Sequence, residues 1–470
     1  MSLSKVLTSM PGIGVRTGAR ILIEVGDGST FPTAGHLAAY AGLAPATRNS
    51  GSSIRGEQPS RRGNKQLKRA FFLSAFAALG DPAAGPTTTR RSSKASTTPR
   101  PCSASPDAGP AWVADMDFPT PPPVVAALRE AVDGRDLGYP DWPDGSPLRT
   151  AFAKRMAERF GWAASAHRVR EQTDLIQCLQ LVLHLATSDG DAVAVQTPNY
   201  PPLLATLRTM NRRIVPVPMR DTGDGWRMDF AALDTAVKPS GCKALVLVNP
   251  HNPTGRVLTH DELGEIAAVA RRHDLLVISE EIHAELTYAP HRHIPFASLS
   301  DDAARRTVTL TSATKAFNLA AIRCAATHYG PDRLLALRDA QPPDLYGTVS
   351  PLGVVATLAA WEHGDAWQRD LLTVPDRNRR RVHEVLRDRL PQVRHHLPEA
   401  TYLAWLDTRP LHLADPPVQK VLDDDRVLLD GGSPFGPDAE EFLRLNFATS
   451  QQVLEEILGR VAGALGGREG

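Results

Sequence analysis

Thr311-Ser-Ala-Thr-Lys315-Ala-Phe-Asn318 is the stretch on which the reading of the chain turns. The run before it, Thr307-Val-Thr-Leu-Thr311, is apolar and β-branched and predicts a buried strand. Small polar residues then make a tight exit loop in which Lys315 is the only cation. A lysine held at the end of a sheet is placed to lose its proton and attack a carbonyl as a free amine. Ser312 precedes it by three residues and Arg323 follows by eight. Together they could hold a phosphate while Lys315 holds an aldehyde, which is the donor set of a pyridoxal 5'-phosphate (PLP) site. A lone lysine after a strand is more often a solvated surface residue. What the rest of the chain brings to Lys315 decides between the two.

Outward from this stretch, apolar runs alternate with amphipathic ones. Asp191–Val195, Ala244–Val248 and Leu275–Ile278 predict further strands, and Thr259–Arg272 predicts a helix opened by a Thr259/Glu262 capping box. Strands apolar throughout, separated by helices, predict an α/β fold with a mostly parallel sheet covered on both faces. Ligands of such sheets sit at the carboxyl ends of the strands. Asn249-Pro-His-Asn252-Pro-Thr-Gly255 follows one strand and aims an amide over the sheet end. Glu280 follows the next and puts a carboxylate at the same edge. Thr197-Pro-Asn-Tyr200 supplies an aromatic that could stack on a planar ring. Asp174-Leu175-Ile176 opens a helix whose first amides could receive a phosphate. Each has a plain structural explanation alone; their order behind successive strands is what points to a site.

These motifs, with Trp112–Phe118 (WVADMDF), Gly138-Tyr139-Pro140, Ser279–Tyr288 (SEEIHAELTY), Thr401–Asp407 (TYLAWLD) and Arg444–Ser450 (RLNFATS), resemble the class I/II aminotransferase superfamily of fold type I PLP enzymes. The resemblance spans residues 110–466, and WVADMDF with NPHNPTG resembles the branch of cystathionine β-lyase-like C–S lyases. It implies a PLP-binding large domain over 150–365 and a smaller α+β domain built from 110–149 and 366–466. It implies that Lys315 joins the cofactor's aldehyde and moves the Cα proton, and that Asn252 bonds the phenolic oxygen. Tyr200 would stack on the ring. The amides of Asp174, Leu175 and Ile176, with Ser312 and Arg323, would hold the phosphate. Tyr139 would reach the phosphate of a neighbouring subunit, implying a homodimer, and Arg444 would clamp the α-carboxylate of an amino-acid substrate, expected to carry sulfur. Glu280 stands where the family places an aspartate against the pyridine nitrogen; the added methylene leads us to expect reduced activity. A C–S β-lyase and an aminotransferase both remain open, because they share every step through loss of the Cα proton.

Residues 1–80 differ in character, with ten basic side chains against three acids, a net of +7 in a chain whose total is +1. Pro11-Gly12-Ile13-Gly14 between two apolar helical patterns suggests a helix-hairpin-helix, in which Gly12 and Gly14 let amides approach a phosphate. Residues 1–83 resemble the C-terminal domain of insertion-sequence transposases with a RuvC-like first domain, and Ser50 matches the position of that family's proposed nucleophile. The carboxylate-bearing first domain has no counterpart here. We therefore expect a small helical remnant with vestigial DNA binding, and an inactive transposase–enzyme fusion is the alternative from another functional class. Residues 84–109 are Ala, Gly, Pro, Ser, Thr and Arg almost throughout and predict a disordered linker. Their codons could be transposase DNA read out of frame, which the nucleotide sequence would decide. The four cysteines lack metal or disulfide spacing, no metal site is expected, and no apolar run has membrane-spanning length, so a cytoplasmic location is expected.

Overall fold

A computed structural model of the chain describes Tyr40, residues 46–50 and 53–58, and residues 114–466 other than 136–137, 144 and 343–344. It divides into two compact units, Met1–Arg100 and Pro101–Gly470. In the first unit, β1 (Ala46–Ser50) pairs antiparallel with β2 (Ser53–Gln58), a hairpin that a purely helical remnant would lack. Gly12, Gly14 and the 84–109 linker lie outside the described residues.

In the second unit, helices α1 (Pro122–Asp133) and α2 (Leu148–Phe160) lead into β3 (Val169–Gln172). There follow α3 (Leu175–Ala186), β4 (Ala192–Thr197), α4 (Pro201–Thr209), β5 (Arg213–Asp221) and β6 (Trp226–Met228). Next come α5 (Phe230–Ser240), β7 (Ala244–Val248), α6 (His260–Arg272), β8 (Leu276–Glu280), α7 (Asp301–Arg306), β9 (Thr307–Thr311) and β10 (Ala325–Tyr329). The sheet order is β3-β10-β9-β8-β7-β4-β5-β6. Its middle, from β5 through β4, β7 and β8 to β9, is parallel throughout.

The two-residue period of the strands explains why both faces are covered. Val193, Val195, Val246, Val248 and Ile278 face one core with Leu179, Val182 and Leu204 from α3 and α4. Ala192, Ala194, Leu245, Leu247 and Val277 face the other, with Leu233 of α5 and Leu263 and Ile266 of α6. Each fully buried Val, Leu or Ile contributes about 1.5–3 kcal/mol. The capping box is present at Thr259, whose side chain accepts from Glu262 N while Glu262 Oε2 accepts from Thr259 N at 2.7 Å.

Strand β10 is antiparallel to β9. The lysine loop returns directly, through a short 3-10 turn (Ala320–Ile322) and Arg323 in the left-handed region (φ 56°). The return lacks the α-helix that usually carries a crossover between parallel strands, and β10 pairs antiparallel with both β9 and β3. The rest of the unit is α8 (Asp332–Asp339), α9 (Pro351–His363), α10 (Asp365–Arg389), β11 (Leu403–Asp407), α11 (Pro417–Asp425), β12 (Asp430–Gly431), β13 (Phe442–Asn446) and α12 (Gln451–Leu465). Its three strands form a separate antiparallel sheet in the order β11-β13-β12. This is a fold type I arrangement, with a mostly parallel large sheet and a smaller antiparallel one.

Candidate active site

At the carboxyl edge of the parallel strands lies a cavity of about 240 Å³. Lys315, Asn252, Glu280, Tyr200, Ser312 and Arg323 line it, and so do Asp174, Leu175 and Ile176 at the start of α3. Residues separated by up to 149 positions thus meet because each follows a strand or opens a helix at the same sheet edge.

The Lys315 amine donates to the carbonyl oxygen of Ala114, which also accepts from Tyr402 Oη at 3.0 Å. Burial lowers the lysine's pKa; Asp115 opposes the shift, and Arg444 adds to it. The amine is therefore closer to its neutral, nucleophilic form than a surface lysine. Glu280 accepts from the Ile282 amide at 2.9 Å and has no ion-pair partner among the described residues. Burial, with Glu281 adding to it, pushes its carboxyl up to about 7, against the Ile282 bond and the Lys315 charge. A carboxylate so placed favours a cationic or protonated partner in the cavity.

Asn252 Oδ1 accepts from Arg444 Nη1 at 3.0 Å, which leaves its Nδ2 as the donor toward the cavity side. Arg444 does not line the cavity but stands behind Asn252. Its Nε bonds Asp430 Oδ2 at 3.0 Å, its Nη2 bonds the same oxygen, and its plane lies over the Phe435 ring at 4.9 Å. Asp174 caps α3 by accepting from Gln177 N at 2.9 Å and pairs with Arg323. The amides of Leu175 and Ile176 have no partner within their own helix. The Ser312 hydroxyl is turned to Cys324 O at 2.6 Å. Tyr139 is fully exposed and away from the cavity of its own chain. Ser50 ends strand β1 in the other unit.

Residues 113–461 match the family described as Aminotransferase class I and II. The chain belongs to this family. Cystathionine beta-lyase PatB of Bacillus subtilis is 33% identical over 362 residues, covering 76% of this chain and 93% of that protein. The crystal structure of the PLP-bound C-S lyase from Staphylococcus hominis superposes with a TM-score of 0.72 at 30% identity, covering 77% and 94% of the two chains. Residues 4–85 match a second family, Transposase IS116/IS110/IS902. An uncharacterized 43.6 kDa protein of insertion element IS110 from Streptomyces coelicolor is 68% identical over 82 residues, which is 17% of this chain and 20% of that protein.

The family's PLP cofactor fits the donor set. A half-buried amine of lowered basicity can take an aldehyde, and a half-buried carboxylate without an ion-pair partner among the described residues can take a pyridine nitrogen. An aromatic face, an amide donor and a helix start with an adjacent arginine complete the set.

Four contributors are not evident from the sequence. Ala114 holds the lysine amine, and Tyr402 holds Ala114. His283 lines the cavity with Nδ1 unpartnered, and burial together with Lys315 and Arg444 depresses its pKa to about 3, so its ring is neutral. Ala114, His283 and Tyr402 lie inside recognised motifs, so their presence is visible in the sequence although their roles are not. Asp430 lies in no motif; only the β12–β13 register brings it to Arg444.

Proposed function

We propose that the chain is a PLP-dependent C–S β-lyase that releases a thiol, pyruvate and ammonia from a sulfur-bearing amino acid such as cystathionine. The observation that carries this reading is the convergence of Lys315, Glu280, Asn252 and Tyr200 on one cavity, with Arg444 bonded to Asn252 at its border. Its relatives favour the lyase over the aminotransferase: PatB and the Staphylococcus hominis protein both carry lyase names.

When bound, the cofactor supplies an aldehyde for the substrate amine and a ring that accepts electrons from Cα. Lys315 Nζ would anchor that aldehyde and, once displaced by the substrate amine, take the Cα proton, aided by its depressed pKa. Loss of that proton lets the β-carbon–sulfur bond break, and water converts the remaining fragment to pyruvate and ammonia. Glu280 would hold a proton on the pyridine nitrogen, and Asn252 Nδ2 would donate to the phenolic oxygen. Tyr200 would cover the ring. The amides of Leu175 and Ile176, with Asp174 N, Ser312 and Arg323, would hold the phosphate. Arg323 must then exchange its Asp174 contact for the phosphate. Arg444 would clamp the α-carboxylate.

The exposed Tyr139 supports a homodimer in which this residue reaches the partner's cofactor phosphate. The net +7 of residues 1–80 supports vestigial DNA contact by the first unit. The enzyme assay is direct. Cofactor-loaded protein is given cystathionine alone, and separately an amino acid with 2-oxoglutarate. Pyruvate without a keto-acid acceptor is expected; glutamate formation without pyruvate would replace the lyase by an aminotransferase.

A further inference from the structure

We propose that Asp430 is a positioning residue that sets which edge of Arg444 meets the substrate, an inference that rests on Arg444 being the carboxylate clamp. A guanidinium is a planar fork with more than one edge able to take a carboxylate bidentately, so its orientation decides where a substrate can sit. Contacts with Asp430, Asn252 and Phe435 are among those that orient this one. Asp430 is the direct partner of Arg444 across the β12–β13 ladder, which places the two side chains on the same face of the small sheet. One Asp430 oxygen takes both Nε, at 3.0 Å, and Nη2. Asn252 Oδ1 takes Nη1 at 3.0 Å, and the Phe435 ring supports the plane at 4.9 Å.

Asp430 therefore covers the Nε edge and turns the Nη1–Nη2 end toward Asn252, at the border of the cavity. Both partners are largely shielded, with side-chain exposures of 6% for Arg444 and 23% for Asp430.

The test uses the cofactor-loaded full chain and the variants Asp430→Ala, Asp430→Asn and Arg444→Lys. L-methionine, whose sulfur is on the γ-carbon and so has no β-leaving group, is titrated by calorimetry. KM and kcat for cystathionine are measured alongside. Asp430→Ala is expected to weaken methionine binding and raise KM by about tenfold while kcat changes far less, because the lost alignment belongs to binding. Asp430→Asn keeps an oxygen acceptor without the charge and should fall between. If Asp430→Ala does not retain cofactor, Asp430→Asn decides. Wild-type affinity in the Asp430 variants, with weakened binding in Arg444→Lys, would overturn the role of Asp430 alone. Wild-type affinity in Arg444→Lys would overturn the clamp itself and Asp430's role with it.

Discussion

Lys315 and Glu280 are the two residues whose chemistry depends most on being out of water. Replacing Lys315 by Ala removes both the amine that binds the aldehyde and the base for the Cα proton. Pyruvate release should fall by roughly 10³-fold or more. Borohydride should fix the cofactor covalently on the native chain and not on this variant, as mass spectrometry would read. Glu280 differs because its carboxyl is already pushed up to about 7, first by burial and then by Glu281. A carboxyl whose pKa is raised on folding favours the native state below its unfolded pKa, and that contribution is lost as pH rises through the folded value. In cofactor-free protein, Glu280→Gln should therefore raise Tm at pH 8, where the native glutamate is ionised. The advantage should shrink toward pH 5, where it is protonated; an equal Tm difference at both pH values would contradict this. With cofactor bound, the shorter Glu280→Asp should speed Cα-proton removal, measured by exchange of that proton with deuterated solvent. An unchanged or slower exchange would mean that the pocket has adapted to glutamate.

Between β7 and α6 the chain makes the turn that carries Asn252, and two neighbouring positions there should respond very differently. Thr259 only caps α6, so Thr259→Ala should cost about 1 kcal/mol, read from the urea midpoint at unchanged slope, and leave cofactor affinity intact. Gly255 has φ +71°, and an added Cβ would lie 2.6 Å from Pro398 Cβ and 3.1 Å from Ala400 O. Its carbonyl also accepts from the amides of Glu399 and Ala400, both at 2.9 Å, on the segment leading to Tyr402 and β11. Gly255→Ala should therefore cost more, roughly 2–3 kcal/mol, and should also weaken cofactor binding by displacing Asn252. A cofactor titration that left its affinity at the native level would show that the turn absorbs the strain without moving the amide.

For the whole molecule the question is what the two units contribute. The residues lining the cavity run from Ala114 to Arg323, and Arg444 belongs to the same unit. Deleting residues 1–100 should leave kcat/KM for cystathionine within about twofold, since a compact unit with its own core carries its own site. Any salt-sensitive affinity for DNA should disappear with the deleted residues. A collapse of kcat/KM in the truncated chain would mean that the first unit supports the second. Sedimentation of the same truncated protein would show whether the second unit pairs with a copy of itself, as the exposed Tyr139 leads us to expect.

Much of this protein is legible one residue at a time. The buried strands at 244–248 and 307–311 have the predicted bounds: the first is apolar at every position, and the second alternates Val308 and Leu310 with β-branched threonines that are buried as well. The order of the strands along the chain is enough to bring Asn252, Glu280 and Lys315 to one sheet edge, since Asn252 and Lys315 follow parallel strands and Glu280 ends one. What the chain alone does not disclose depends on pairing across space. The antiparallel return of β10 is a matter of its pairing with β9 and β3, which apolar patterning does not record. The hold of Ala114 on Lys315 joins residues 201 positions apart. Asp430 occupies a two-residue strand too short for any periodicity, and only the register of β12 against β13 sets its carboxylate against Arg444. Local chemistry announces which groups can act, whereas contacts between distant strands decide how those groups are aimed.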